Sequence, residues 1–326
     1  MQKQCRFNKG LFAVILILGV LACSDLIEES IEDKVVVIVT PTDRTISTNY
    51  TQTFWWEELK YALNYRLQIV YNKFDSAAEF RLDTLLSTNK FSITLKPAKY
   101  QWRVEAINGS SKTAIETIQS LRIDSASIEG QDILLTSPGN GAITKDTDFN
   151  FQWEALPGAT DYRFQLYYSS NNTIVLDSTV RTETSFNYVI ERDSVYYWTV
   201  TAKRKDVYSN PSEAWKFTLD RESPDSVKLV SPLSGANVSS PVTLSWSGPS
   251  DPGLAYYEIY IFKGSTGTPF SDKYNPYKTA NDASSLKKSF TFTEGSLNDR
   301  ILWKVRAVDK AGNKSSGEKT RTFIIN

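Results

Sequence analysis

The sequence predicts an all-β protein made of tandem β-sandwich units, and three observations carry that prediction. A five-residue spacing recurs three times, as Trp102-Arg103-Val104-Glu105-Ala106, Trp198-Thr199-Val200-Thr201-Ala202 and Trp303-Lys304-Val305-Arg306-Ala307. Each copy follows a strand-like stretch with its own tryptophan (Trp56, Trp153, Trp246) and a second one opened by a tyrosine (Tyr65, Tyr162, Tyr257). Within these stretches apolar and polar residues alternate, the period-two pattern of antiparallel sheets with one buried face. The copies lie roughly one hundred residues apart, too far for a solenoid and about the size of a sandwich that buries its own core. A chain of 326 residues holds three.

Taken in order, the first element is a leader. Lys3, Arg6 and Lys9 precede an apolar run from Leu11 to Val20, too short to cross roughly 30 Å of hydrocarbon as a permanent helix, so residues 1–22 read as a cleaved signal. The run closes in Val20-Leu21-Ala22-Cys23, which resembles the lipobox of bacterial lipoproteins, and the resemblance implies lipid modification at Cys23. One acyl chain holds a protein only marginally, whereas the two or three that the resemblance implies would anchor it almost irreversibly. Residues 23–35 carry Asp25, Glu28, Glu29, Glu32 and Asp33 and read as an unstructured acidic tether. Ser24 stands where an aspartate would resemble an inner-membrane retention signal. Acidic residues behind the cysteine resemble a surface-export signal. Together these imply an outer-membrane, surface-exposed, lipid-anchored protein.

The three units follow at 36–124, 132–220 and 227–326, with linkers at 125–131 and 221–226. In the first, the inward positions are Phe54 and Trp56, then Tyr65, Leu67 and Ile69, then Tyr100, Trp102, Val104 and Ala106, and last Leu121 and Ile123. The second gives Phe149, Phe151 and Trp153, then Tyr162, Phe164 and Leu166, then Tyr196, Trp198, Val200 and Ala202, closing with Phe217 and Leu219. The third gives Val242, Leu244 and Trp246, then Tyr257, Ile259 and Ile261, then Ile301, Trp303, Val305 and Ala307, closing with Phe323 and Ile325. Its first loop is two residues longer, since Trp246 and Tyr257 are eleven apart where Trp56–Tyr65 and Trp153–Tyr162 are nine. Ser137-Pro138 and Ser231-Pro232 each lead to Gly-Ala, where proline stops one extended segment and glycine supports a turn. Asn108-Gly109 and Gly312-Asn313 suit the exit turn of the third tryptophan-bearing strand, and Asp309 to Asn313 reads as that turn rather than a calcium loop.

With these residues aligned, the pattern resembles fibronectin type III modules over about 36–326. The carrying features are the strand-B tryptophans, the strand-C tyrosines and the strand-F segments, with Leu95-Lys96-Pro97-Ala98-Lys99-Tyr100 similar to that family's tyrosine corner. Ile301 departs from the corner tyrosine, and the tryptophan in each strand F is closer to divergent bacterial modules of surface proteins. Such modules laid end to end would hold the third one away from a membrane.

Composition narrows the function. Lys plus Arg and Asp plus Glu are both 37, and no basic stripe interleaves with stacking aromatics, so nucleic acid is not an expected partner. There is no histidine, and both cysteines, Cys5 and Cys23, fall in the first 23 residues. That removes the usual acid–base, thiolate and zinc-ligand groups, so neither enzymatic activity nor a cofactor or metal is expected. The partners to expect are the membrane, through the anchor, and a glycan or an outer-membrane protein. Candidate contact residues are aromatics left over once the core is filled. They are Tyr167 and Tyr197 in the second unit, Tyr256, Tyr260 and Phe262 in the third, and Phe270, Tyr274 and Tyr277 in its long insertion, Lys263 to Lys288. Trp55 has outward parity, and the orientation of Trp215 stays open. Asp followed by Ser or Thr and a small or apolar residue recurs at Ser76, Thr84, Ser125, Ser178, Ser194 and Ser226. This resembles an O-glycosylation acceptor of some Gram-negative bacteria, and it is also good turn chemistry. The two readings of function are surface binding of a glycan or cell, and a structural spacer or accessory subunit.

Overall fold

A computed structural model of the chain describes residues 29–75, 78–114, 118–168, 174–264, 267–281, 286–316 and 319–326. Cys23, Ser76 and the start of the tether lie outside them. The backbone divides into two compact units. One holds residues up to Asp43 with Trp55–Lys90 and Tyr100–Ser120; the other holds Arg44–Phe54, Phe91–Lys99 and Leu121–Asn326, which includes the second and third repeats entire.

The described chain is all-β apart from two single turns of 3₁₀ helix, Asp272–Tyr274 and Thr279–Asn281. In the first repeat the strands are β1 (Ile38–Thr40), β2 (Thr45–Ser47), β3 (Thr51–Trp56), β4 (Asn64–Tyr71), β5 (Phe80–Leu86), β6 (Lys90–Thr94), β7 (Ala98–Ile107) and β8 (Gln119–Ile123). The second has β9 (Leu135–Ser137), β10 (Ala142–Thr144), β11 (Asp148–Trp153), β12 (Asp161–Tyr168), β13 (Ile174–Arg181), β14 (Ser185–Val189), β15 (Ser194–Arg204), β16 (Val207–Tyr208) and β17 (Trp215–Leu219). The third has β18 (Lys228–Ser231), β19 (Ala236–Val238), β20 (Val242–Ser247), β21 (Leu254–Lys263), β22 (Thr268–Pro269), β23 (Tyr277–Lys278), β24 (Ser289–Phe292), β25 (Arg300–Asp309) and β26 (Arg321–Ile325).

Each repeat makes one three-stranded and one larger sheet in the same order. The small sheets run β1-β3-β6, β9-β11-β14 and β18-β20-β24; the large ones run β2-β8-β7-β4-β5, β10-β17-β15-β12-β13 and β19-β26-β25-β21-β22. This is the sandwich that the alternation implies, fibronectin type III-like as the resemblance implies. The first strand of each repeat changes sheets midway: β1, β9 and β18 pair antiparallel in the small sheet, while β2, β10 and β19 pair parallel with the last strand of the large one. Pro41, Pro138 and Pro232 stand at that switch, where a residue without an N–H ends one ladder. Gly141 and Gly235 then take the left-handed turn at φ +84° and +78°, a conformation that Arg44 adopts in the first repeat at +62°.

All the inward positions read from the alternation are buried. In the second repeat Phe151 of the small sheet meets Trp198 of the large one at 5.1 Å between centroids, and Trp153 meets Tyr162 at 5.5 Å. Trp56 and Tyr65 stand 5.4 Å apart in the first repeat, and Trp246 and Tyr257 stand 5.3 Å apart in the third. Burying a large aromatic is a favourable gross term of roughly 4–6 kcal/mol at about 25 cal/mol per Å². Trp215 turns inward, edge-on to Trp198 at 6.3 Å and 89°. In the second repeat the Tyr196 hydroxyl donates to the Arg192 carbonyl at 2.6 Å; burial first, then neighbouring Tyr168, pushes this phenol up to about 12.

Two expectations are corrected. The tether is not free over its whole length, because Ile31 is completely buried and its amide donates to Ser111 Oγ at 2.9 Å. An isoleucine within the acidic run supplies apolar area that water disfavours, so the tether packs at Ile31. The insertion of the third repeat is not a display of exposed rings either. Tyr274 is 1% exposed and belongs to the core, with Phe270, Tyr277 and Phe290 packed against it.

Candidate functional site

A pair of outward-facing aromatic rings lies on the large sheet of the third repeat. Tyr260 and Phe262 are two apart on β21 and so share a face. Their rings are 6.4 Å apart with planes within 11°. Lys304, opposite Tyr260 on β25, places its ammonium 5.0 Å from the Tyr260 centroid and 6.0 Å from that of Phe262; the Arg306 guanidinium lies 5.9 Å from Tyr260. Cations therefore already occupy the ring faces, an attraction of about 0.5–1 kcal/mol each at exposed sites. A sugar ring would have to displace Lys304 to stack there.

A buried carboxylate supports this strip. Glu258 is 1% exposed, accepts the Tyr260 hydroxyl at 2.9 Å, and meets Lys314 Nζ with both oxygens at 3.0 Å. The first repeat has the same layout with the charges exchanged. Arg66 faces Glu105 across β4 and β7 at 3.8 Å, and Lys112 reaches that same Glu105 at 3.5 Å. Glu258 faces Arg306 in the corresponding register. Arg66 also grips Asp83 with two bonds of 2.8 and 2.7 Å, and this guanidinium holds the Asp83 carboxyl below the usual carboxylate range.

The other candidate contact residues are dispersed. Tyr256 is half-buried opposite Val308. Tyr167 and Tyr197 sit opposite each other on β12 and β15, half-buried, with the Tyr167 hydroxyl donating to Gln165 Oε1 at 2.9 Å. Phe270, Tyr274 and Tyr277 surround Phe290 and Phe292 and close one flank of the core. The Tyr274 hydroxyl donates to Glu294 Oε1 at 2.9 Å, beside Lys273, which bonds that oxygen at 2.7 Å and lowers the Glu294 pKa. Trp55 is 42% exposed.

Of the candidate acceptor hydroxyls, Ser125 and Ser226 are exposed, although Ser226 Oγ donates to the Ser316 carbonyl at 2.7 Å. Thr84 pairs with core residue Leu67 and is half-buried. Ser178 pairs with Phe164 on β13. Ser194 is half-buried at the start of β15, next to Asp193, whose carboxylate accepts the Arg221 backbone amide at 2.9 Å and its guanidinium Nε at 2.6 Å. At that position the Asp-Ser pair has a structural occupation.

A recurring device that the alternation does not reveal is an asparagine clasp. In the segment that follows β7, β16 and β25, an asparagine amide donates to a backbone carbonyl a few residues before that repeat begins. Asn108 donates to Glu29 O at 2.9 Å, Asn210 to Gly130 O at 3.1 Å, and Asn313 to Asp220 O at 2.8 Å. A hydroxyl in the same segment accepts the amide of the conserved-spacing alanine: Thr113 for Ala106, Ser209 for Ala202, and Ser315 for Ala307, at 3.0, 2.8 and 3.0 Å. These hydroxyls satisfy strand amides that would otherwise be buried without partners. The signal available in sequence was Asn108 and Asn313, read there only as turn formers.

Shallow hollows also mark the described surface, two of them in the second and third repeats. One of about 560 Å³ lies over the small sheet of the second repeat and is lined by Asp148, Phe149, Asn150, Asn187, Tyr188 and Val189. The other, about 250 Å³, carries Asp220, Glu222, Asp225 and Asp251. Among the described residues no group of three or more histidine, cysteine, aspartate or glutamate side chains is placed to hold a metal ion, and no helix is long and apolar enough to cross a membrane.

No family model and no curated protein matches the chain. Among solved structures it is similar to the FN1–FN3 domains of chicken CNTN1, at 14% identity and a TM-score of 0.40 over 89% of this chain and 97% of that one. It is also similar to the fibronectin(III)-like modules of Clostridium thermocellum CbhA, at 15% identity and a TM-score of 0.39 over 60% of this chain and 94% of that one. At these scores neither likeness carries an argument about what this chain does.

Proposed function

We propose that the protein is a non-enzymatic surface scaffold, anchored in the outer membrane through lipid on Cys23 and presenting three sandwich domains, at 36–124, 132–220 and 227–326. The observation that supports a scaffold is the repeated clasp. Each repeat uses an asparagine to hold its own entry segment, which suits modules strung in series. The outward strip of Tyr260, Phe262, Lys304 and Arg306 is the contact face of the third domain in this reading. Its mixed rings and cations suit an anionic partner, whether an acidic glycan or an acidic patch on an outer-membrane protein. Tyr256, Tyr167 and Tyr197 are peripheral; of the insertion rings Tyr274 is buried in the core, while Phe270 and Tyr277 are half-buried against it. A pure spacer is the second reading, supported by the coverage of the ring faces by the protein's own cations.

Binding of the full acylated protein to arrayed glycans and to detergent-solubilised outer membrane, with and without Lys304→Ala, separates the two. Retention that falls several-fold in the variant supports a contact face on the third domain. Equal signals for both proteins favour the spacer. Intact mass of protein from its own host tests lipid on Cys23 and glycan on Ser125 or Ser226 together.

A further inference from the structure

The clasp on the first repeat holds the tether rather than the end of a preceding sandwich. In the second and third repeats the clasped carbonyls, those of Gly130 and Asp220, follow a complete sandwich. In the first, the clasped carbonyl belongs to Glu29, six residues beyond Cys23. A polypeptide extends by at most ~3.6 Å per residue, so Glu29 stays within about 22 Å of the Cys23 backbone whatever path residues 24–28 take. Asn108 follows the C-terminal end of β7, a strand of ten residues and thus about 33 Å long at ~3.3 Å per residue. The leash is shorter than the strand. Only one end of this sandwich can face the acyl chains.

That end is built from three segments that hydrogen bonds tie together. Asn108 Nδ2 also donates to the Tyr61 carbonyl at 3.2 Å, and Ser111 Oγ accepts the amide of buried Ile31. Tyr61 is 41% and Leu63 56% exposed there. The ammonium groups of Lys34 and Lys60 lie 4.8 and 4.6 Å from the Tyr61 centroid. An amphipathic ring flanked by lysines suits the headgroup layer, where the ring lies among glycerol and carbonyl groups and the ammoniums reach phosphate. Glu32, Asp33, Glu57 and Glu58 are exposed at the same end, so charge does not draw it to an anionic surface.

We infer that in the acylated protein the end of the first repeat formed by Glu29–Lys34, Lys60–Leu63 and Asn108–Lys112 rests on the bilayer, with Tyr61 and Leu63 in the headgroup region. This rests on the reading of Cys23 as the lipid anchor. Proximity comes from the short leash and the clasp, so it survives high salt.

Once the leader is cleaved and Cys23 acylated, the chain has no other cysteine, and one introduced thiol is a unique label site. Acylated Leu63→Cys and Leu297→Cys proteins, each carrying a fluorophore, are bound to phosphatidylcholine vesicles containing a headgroup-labelled nitroxide quencher. Leu297 is 71% exposed in the third repeat and serves as the reference position. Quenching several-fold stronger at 63 than at 297, unchanged by salt and lost when a long Gly/Ser stretch is inserted after Ser24, is the expected result. Equal quenching at the two positions in protein that floats with the vesicles overturns this inference alone. Failure to float, with no acyl mass on Cys23, overturns the anchor reading as well.

Discussion

The second and third repeats share a core plan and close one flank of it differently. In the second, β13 is a regular eight-residue strand paired along the length of β12. In the third, β21 has only the two-residue strands β22 and β23 on that side, and the chain between them folds Tyr274 into the core. A second difference lies at the strand-C tyrosine. Tyr162 accepts the Leu156 amide at 3.0 Å and so caps its own loop, as Tyr65 does for Leu59 at 2.8 Å. In the third repeat the loop is two residues longer, and the Tyr257 hydroxyl instead lies against Gly248. The lesson is that the indoles and the alternation specify the sandwich, while the flank tolerates either a strand or a folded insertion, provided apolar area is covered.

The largest effect expected is from Trp198→Ala. The indole is fully buried against Phe151, Phe164 and Trp215, and its loss costs roughly 3–5 kcal/mol, comparable with the total stability of a small domain. Calorimetry should show the second repeat's transition lost or shifted far down, with the third repeat's transition retained. An unchanged scan would place Trp198 outside the core. Tyr274→Ala in the third repeat should cost a similar ~3–5 kcal/mol, whereas Tyr274→Phe, which gives up only the bond to Glu294, should cost about 1 kcal/mol. If the alanine variant melts like the parent, the insertion is decoration and not core.

Gly248→Ala sharpens the loop comparison. A Cβ there would sit 1.8 Å from the Tyr257 hydroxyl, so the third repeat should lose about 1–3 kcal/mol by denaturant unfolding, and Tyr257→Phe should recover part of it. No recovery in the double variant would mean that the strain lies elsewhere. The smallest effect expected is acid sensitivity. Asp193 is held below its ordinary range by the Arg221 amide and guanidinium, and Glu294 by Lys273 and Tyr274. A lowered folded pKa contributes stability that is present above the unfolded value, about 4, and is lost as pH falls through the folded one. Melting temperature should therefore decline below about pH 4 in both repeats, and Asp193→Asn should flatten the decline for the second alone.

The alternation in the sequence made the core legible residue by residue, from Phe54 to Ile325, because a side chain on a pleated strand has only two directions and water selects between them. It also placed Trp55 outward. It misjudged Tyr274 and Ile31 because both sit in segments without a period, where polar neighbours hide a single apolar anchor. Trp215 could not be oriented until its partner across the sheet, Trp198, was known.

The sequence by itself determined that the chain is all-β, that its pattern comes in three copies, and which indoles lie at their centres, since these follow from local periodicity and burial. Only the tertiary structure decided that an asparagine clasps the chain before each repeat, that the insertion sends Tyr274 into the core, and that Lys304 and Arg306 cover the rings of Tyr260 and Phe262. Those facts join residues tens of positions apart in the chain, and contact between them depends on how the sheets stack rather than on any spacing within a strand.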